Sequence, residues 1–473
     1  MASMIALNIL FAVLAATVTQ AQPSQPDWSR IEAETLEHFQ ALVRFDTTDP
    51  PSSPPGGELP AVEYLKRALE KEGIPVKTFA LEPNRPNLVA RLKGSGKKRP
   101  LLIMGHTDTV NVDPKKWTFP PFSATRDGGY VYGRGTVDDK DNVVAALMVM
   151  LELKRRNVPL DRDVIFLAEA GEEGSTRVGI QFMVKEHFPE IDAEFCLAEG
   201  GNVTRVSGKV KYASVQTLEK IPYAVDVIAR GVAGHGSVPL KTNSVARLSK
   251  AVSALADWRS PIRLNETTSA YFERLASISV AEEAARYRDV LDPARATASD
   301  EYFLEHEPRH ASMLRSSISP NIIQGGYRIN VIPSESTARF DLRALPDEDI
   351  PAFVDQMRKI VSDPAVEMRL AERDTRPGSG EARLDSEAFK AVEAAIQRTY
   401  DTVTLPTMST GATDMAYLRA KGIQSYGIGP ATDVEDGPKG FGAHSDQERI
   451  LENELHRFVR FNWDVVVELA RAK

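Results

Sequence analysis

DVIFLAEAGEEGS, residues 163–175, is an apolar run that passes directly into acids and glycines. A buried strand that delivers polar side chains to the edge of an α/β sheet has this form. Glu172 and Glu173 adjoin at its end, so their side chains diverge and can take different tasks, one as a metal ligand and one as a base for a water. An isolated Glu-Glu-Gly is more often a solvated acidic turn, but the apolar strand in front of this one argues otherwise.

Strands and helices alternate on either side of that run. Residues 31–43 carry helical apolar spacing and lead to the turn-rich DTTDPPSSPPGGE at 46–58. Residues 59–73 read as an amphipathic helix closed by Gly73, followed by strand-like VKTFAL, NLVARL and RPLLIMGH and the helical NVVAALMVMLELKRR. From about residue 211 the pattern changes. Strands around YAVDVIARG and STARFDLRAL are separated by the helical NSVARLSKAVSALADW and by a charged, helix-prone stretch at 263–314. The flexible RPGSG at 376–380 then suits a crossing back, placed near residue 373. With 473 residues, more than one core usually holds, the expected fold is a two-domain α/β protein. Residues 28–210 and 373–473 form one discontinuous domain, and 211–372 an inserted, smaller α+β domain. No heptad or fixed repeat interrupts this reading.

Composition is that of a globular protein, 42% hydrophobic and 26% charged, which excludes collagen-like and wholly disordered readings. The net charge of -8 and the lack of a basic cluster interleaved with aromatics exclude nucleic acid as an expected partner. Residues 1–21, MASMIALNILFAVLAATVTQA, are apolar, short for a bilayer span, and end in small residues, so an export signal is expected with cleavage near Ala21. An uncleaved anchor is the rival, since the segment has no Lys or Arg. Export to a periplasm or the exterior is the expected location, without stable membrane association once the leader is removed. The single cysteine, Cys196, lies in AEFCLA and reads as a buried strand residue.

Further groups able to carry chemistry sit beside glycines. In MGHTDTV, His106 and Asp108 follow a strand, and a ligating histidine needs its second ring nitrogen held, which a nearby carboxylate can do. Alone, such a pair is more often structural. In GRGTVDDKDN, the turn glycines Gly133 and Gly135 precede Asp138, whose two oxygens can bridge two divalent ions; the bland reading is an N-cap for the helix that follows. Glu199 precedes Gly200-Gly201, and His444 lies in GFGAHSDQE. The set amounts to two histidines and three acids.

The motifs HTD, GRGxxDDK, GEEGS, AEGG, GHGSVP and AHSDQE stand in the order seen in M20 metallopeptidases, such as glutamate carboxypeptidases, acetylornithine deacetylases and succinyl-diaminopimelate desuccinylases. The sequence resembles that family over most of the chain. The resemblance implies a zinc-peptidase-like catalytic domain and an inserted lid or dimerisation domain, with a homodimer through the latter. It implies two zinc ions, for which cobalt or manganese could substitute: His106 and Glu199 on one, Glu173 and His444 on the other, Asp138 bridging, Asp108 behind His106. Glu172 would be the general base of an amide hydrolysis without a covalent acyl-enzyme. His235 of AGHGSVP would stabilise the oxyanion, often from a partner subunit, although a turn histidine is the alternative. Asn330 and Arg343 would grip a substrate carboxylate, Arg343 being equally suited to an inter-strand ion pair. Gly411 of STGATDMAYL would let backbone approach the ligand. Many relatives have glycine where this chain has Asp141, a departure that adds charge near the helix start and removes no ligand.

The expected substrate is a small peptide or an N-acyl amino acid. A peptidase releasing a C-terminal residue is favoured, with a deacylase and a zinc-containing protein that binds peptides without cutting them as alternatives. Neither GHGSVP nor PGSGEA supplies the G-x-S-x-G elbow of a serine hydrolase. His38, His187, His306, His310 and His456 lack ligand spacing and read as surface residues.

Overall fold

A computed structural model describes residues 26–49, 57–372 and 376–472. The export leader at 1–21 lies outside the described residues. No helix among them is long and apolar enough to cross a membrane.

The large sheet is mixed and ten-stranded. From one edge it runs Val76–Ala80, Pro86–Leu92, Val164–Glu169, Leu101–His106, Phe195–Ala198, Gln424–Gly427, Lys209–Glu219, Asn202–Val206 and Ala431–Asp433, with Thr404–Ser409 paired parallel on Lys209–Glu219. Its central strands are apolar without alternation because both faces are covered. Leu101, Ile103 and Phe166 pack in the core under helix Lys140–Arg155, while Leu102, Met104 and Ile165 pack with Ile180 and Leu418 on the other side. Helix Lys140–Arg155 is itself buried through its first fourteen residues, roofed by Trp28–Val43 and Glu452–Ala470.

The small sheet is antiparallel, in the order Ser317–Gly325, Glu335–Ala344, Ile221–Arg230, Val366–Ala371. Val225, Val227, Phe340 and Leu342 face helices Ser244–Asp257 and Ile350–Val361, while Asp226, Arg339 and Arg369 form ion pairs on the opposite face, and burial alternates throughout Glu335–Ala344.

Two borders differ from the sequence reading. Lys209–Glu219 is a strand of the large sheet, so the change of sheet falls at Lys220 and not at residue 211. The stretch 263–314 does not join the small sheet. Its first helix, Glu266–Ser277, packs on Thr404–Ser409, and Phe272, Leu275 and Phe303 form one core with Leu218, Leu405 and Met408. Those strand residues need an apolar cover, and helical periodicity tells which face is apolar without telling which sheet it covers. The return expected near 373 falls beside residues 373–375, outside the described residues; by Ala382 the chain is bonded to Thr217 of the large sheet (2.9 Å).

Candidate metal centre

Parallel strands bring their C-terminal ends to one edge, and the site is built there. Leu101–His106 and Val164–Glu169 pair in parallel with His106 opposite Glu169, and Phe195–Ala198 on the other side of Leu101–His106 delivers Glu199 one residue past its end. Glu172 and Glu173 lie in the turn after their strand, Asp138 in the turn before helix Lys140–Arg155, and His444 in the loop after Ala431–Asp433.

His106 Nε2 is 3.1 Å from Asp138 Oδ1 and 3.8 Å from Glu199 Oε2. His444 Nε2 is 3.1 Å from Asp138 Oδ2 and 2.9 Å from Glu173 Oε1. Each oxygen of Asp138 therefore faces a different histidine. The ligand atoms of His106, Asp138 and Glu199, and likewise those of Asp138, Glu173 and His444, lie within 4.8 Å of one another. The charges are under strain. Burial, then Glu172, pushes Glu199 well above the usual carboxylate range, and burial raises Glu173. Burial would raise Asp138 too, but bonds to both imidazoles leave it lowered. His444 is pushed up to about 10 by its bonds to Asp138 and Glu173. A buried set of like charges needs cations, and imidazole nitrogen with carboxylate oxygen is a donor set that suits a divalent ion of the zinc type.

Behind the donors is a buried frame. The Asp108 carboxylate accepts the backbone N–H groups of Glu172 (3.2 Å) and Glu173 (2.9 Å). His106 Nδ1 lies closer to the Asp108 carbonyl (3.1 Å) than to its carboxylate (3.5 Å). Asp108 thus holds the glutamate turn at least as firmly as the imidazole. Asp49 accepts the N–H of Ser175 (3.2 Å), and Arg85 pairs with both Asp49 (2.5 Å) and Glu58 (2.6 Å). Gly174 is required here, since a Cβ would stand 2.6 Å from Asp49 Cγ. Asp49, Glu58 and Asp108 also cluster, but Arg85 already balances Asp49 and Glu58. The N-cap of helix Lys140–Arg155 is Asp139, whose oxygens accept from His106 N–H (3.1 Å) and from Asn142 (2.5 Å). Asp141 is fully buried, and burial followed by the charge of Asp139 lifts its carboxyl well above the usual carboxylate range.

A family model described as "Peptidase family M20/M25/M40" matches residues 102–466. The chain belongs to that family. It is 24% identical over 404 residues to aminoacylase-1 of Mus musculus, covering 84% of this chain and 87% of the relative. It is 29% identical over 308 residues to a probable succinyl-diaminopimelate desuccinylase of Staphylococcus epidermidis, covering 64% and 67%. In fold it is similar to an M20 family metallo-carboxypeptidase of Sulfolobus solfataricus, with TM-score 0.67, 19% identity and coverage of 92% and 98%. This M20 chain is a hydrolase whose relatives are peptidases and aminoacylases.

Beside Glu172 in the M20 site stands a residue that the sequence reading did not single out. Arg376, in the crossing read only as flexible, donates to Glu172 Oε1 (2.6 Å) and to its carbonyl (3.2 Å), and lies 3.5 Å from Asp414 Oδ1. Burial lifts the Glu172 carboxyl to about 7 against the pull of Arg376. A lone arginine in a Gly/Ser/Pro segment carries no periodicity, so spacing could not have found it.

The remaining expected residues stand elsewhere. His235 is exposed in a short strand paired with Val331–Ile332, its Nδ1 2.7 Å from Ser237 Oγ. The N–H of Gly236 donates to the carbonyl of Asn330 (2.9 Å), so His235 and Asn330 share one tip. Arg343 pairs with Asp341 of its own strand (3.0 Å), an ion pair within one strand and not the inter-strand one expected. Gly411 N–H donates to Ser409 Oγ (3.1 Å), and a Cβ there would meet Ser409 Oγ at 3.4 Å, so the fold itself leaves room for a side chain. Of the histidines read as surface groups, His187 packs between Phe79 and Phe182, and His310 bonds Tyr271 (3.0 Å) and Glu307 (2.5 Å). Phe79 and Tyr271 come from distant elements and leave no local spacing.

Proposed function

We propose that this M20 chain is an exported two-zinc amide hydrolase that releases a C-terminal amino acid from small peptides. The observation that carries the reading is Asp138, which offers one oxygen to each of two histidine-containing trios, with Glu172 beside them. His106 and Glu199 would hold one ion, Glu173 and His444 the other, and Asp138 both. Bound zinc would supply Lewis acidity, lowering the pKa of a water and polarising the scissile carbonyl.

This chain's own residues do the rest. Glu172 takes the proton of the attacking water and returns it to the leaving nitrogen. Asp108 fixes the turn that aims Glu172, and Arg376 holds the carboxylate that must move the proton. His235 and Asn330 serve the reaction from a second copy. In support, the tip that carries them exposes Val232, Val238, Ile323, Tyr327 and Ile329, an apolar set suited to burial in a homodimer. Arg343 and Gly411 border the substrate, Arg343 exchanging Asp341 for a free carboxylate. The apolar leader at residues 1–21 supports export, and export favours peptide scavenging.

A second reading, an N-acyl-amino-acid deacylase, is supported by the likeness to aminoacylase-1 over most of both chains. Assaying zinc-loaded protein on dipeptides and on N-acyl amino acids, with EDTA as control, separates the two. Absence of EDTA-sensitive hydrolysis in both series would overturn the enzyme reading in favour of a peptide-binding protein.

A further inference from the structure

Lys220 is a buried cation that the hydrolytic site does not use. It stands where the chain passes from the large sheet to the small one, and its side chain is fully buried. Its Nζ donates to Ser312 Oγ and Ser317 Oγ, each at 3.1 Å. Among the described residues no carboxylate lies within ion-pairing distance of that ammonium. An unpaired buried ammonium is costly, and burial, followed by Arg343 and Arg315, brings its pKa down to about 7.

The two serines that cover it open onto space. Ser312 and Ser317 line a cavity of about 460 Å³ at the junction of helix Pro308–Met313 with strand Ser317–Gly325, along with Arg259, Arg315, Arg343 and Asp341. Arg315 pairs with Asp300 (2.5 Å) and Arg343 with Asp341 (3.0 Å), whereas Arg259 donates to the uncharged carbonyls of Ala256 and Trp258. Three arginines and Lys220 thus gather around one lining carboxylate, Asp341, with Asp300 paired to Arg315. A serine oxygen that accepts from an ammonium keeps its own O–H to donate, so Lys220 leaves two polarised hydroxyl donors for the cavity.

We propose that this cavity binds an oxyanion, with Ser312 and Ser317 as direct donors, Lys220 as the charge behind them and the arginines around them. A carboxylate or a phosphate group has the required chemistry, acceptor oxygens carrying the charge that the cavity lacks. The inference shares Arg343 with the substrate contact proposed above, but it needs no turnover, and Lys220, Ser312, Ser317 and Arg315 belong to neither metal-binding trio.

Calorimetric titration of the metal-loaded protein with inorganic phosphate, and in parallel with acetate, tests it against Lys220→Met, which keeps most of the stem and removes the charge. Wild type is expected to bind at least one anion, and Lys220→Met to bind it about tenfold more weakly or worse, the loss of a charge-assisted contact. Binding of phosphate alone identifies a phosphate group, of acetate alone a carboxylate, and of both an oxyanion of either kind. Anion bound at the metal ions persists in the variant and drops out of the comparison. Should Lys220→Met fail to fold, Ser312→Ala combined with Ser317→Ala carries the same expectation with the lysine in place. No binding by wild type, or equal binding by wild type and variants, overturns the proposal. EDTA-sensitive hydrolysis, measured on the same wild-type protein, reports separately on the enzyme reading.

Discussion

The C-terminal edge of the large sheet and the tip of the small sheet both present histidine and polar side chains, and they hold them in opposite ways. At the sheet edge His106 is almost wholly buried, its ring fixed by Asp108 and its backbone N–H by Asp139, and every expected metal donor finds another within one cluster. At the tip His235, on a two-residue strand, and Asn330, just before the strand that pairs with it, are exposed, bonded to near neighbours and surrounded by exposed apolar side chains. A buried set of like charges has to be held against repulsion by the structure packed around it. A group that meets substrate late can wait in solvent. The difference teaches that metal-capable donors are gathered and held by packing at one edge, while the polar groups of the tip are held only by their near neighbours.

The comparison is broken most severely at Glu172. Glu172→Gln is expected to lower kcat by about a thousandfold, the range of a lost general base. Metal content measured by atomic absorption should not change, and activity near wild type would remove Glu172 from its role.

The frame that makes the edge rigid is tested next. Arg85→Met leaves Asp49 and Glu58 buried without their partner and should destabilise the protein by about 3 kcal/mol in urea unfolding. A loss under about 0.5 kcal/mol would put Arg85 among ordinary surface substitutions and show that the edge does not depend on it.

His235→Ala sharpens the contrast from the other side. A loss of about a hundredfold in kcat is expected for an oxyanion donor. Mixing it with Glu172→Gln under subunit exchange should regain activity, since one site of the mixed dimer then has both groups. No regain would mean that each chain uses its own His235.

Arg376→Ala should cost roughly tenfold in kcat with little change in KM, because the carboxylate it grips remains but is no longer held in place. Arg376→Lys should recover part of the loss, and a change confined to KM would make Arg376 a substrate contact instead.

The hydrolytic edge was legible in advance because its residues are carried by strand ends. An apolar run followed by glycine and an acid announces where a buried strand stops, and HTD, EEG and AEGG each stand at or just past such a stop. Arg85, Asp49 and Arg376 were not legible. They lie in irregular segments, and their partners are 27 to 204 positions away.

The sequence by itself determined the element types, the family, and which residues can donate to a metal, because these depend on local periodicity and on motifs short enough to read along the chain. The tertiary structure alone decided where the chain changes sheet, at Lys220, and that the helices after Arg263 cover the large sheet. It alone showed that Asp138 divides its oxygens between two histidines, that Asp141 is fully buried, and that Lys220 is buried with no counter-ion among the described residues. These are outcomes of packing between distant segments, and burial, which sets the cost of every charge, is a property of the packed whole.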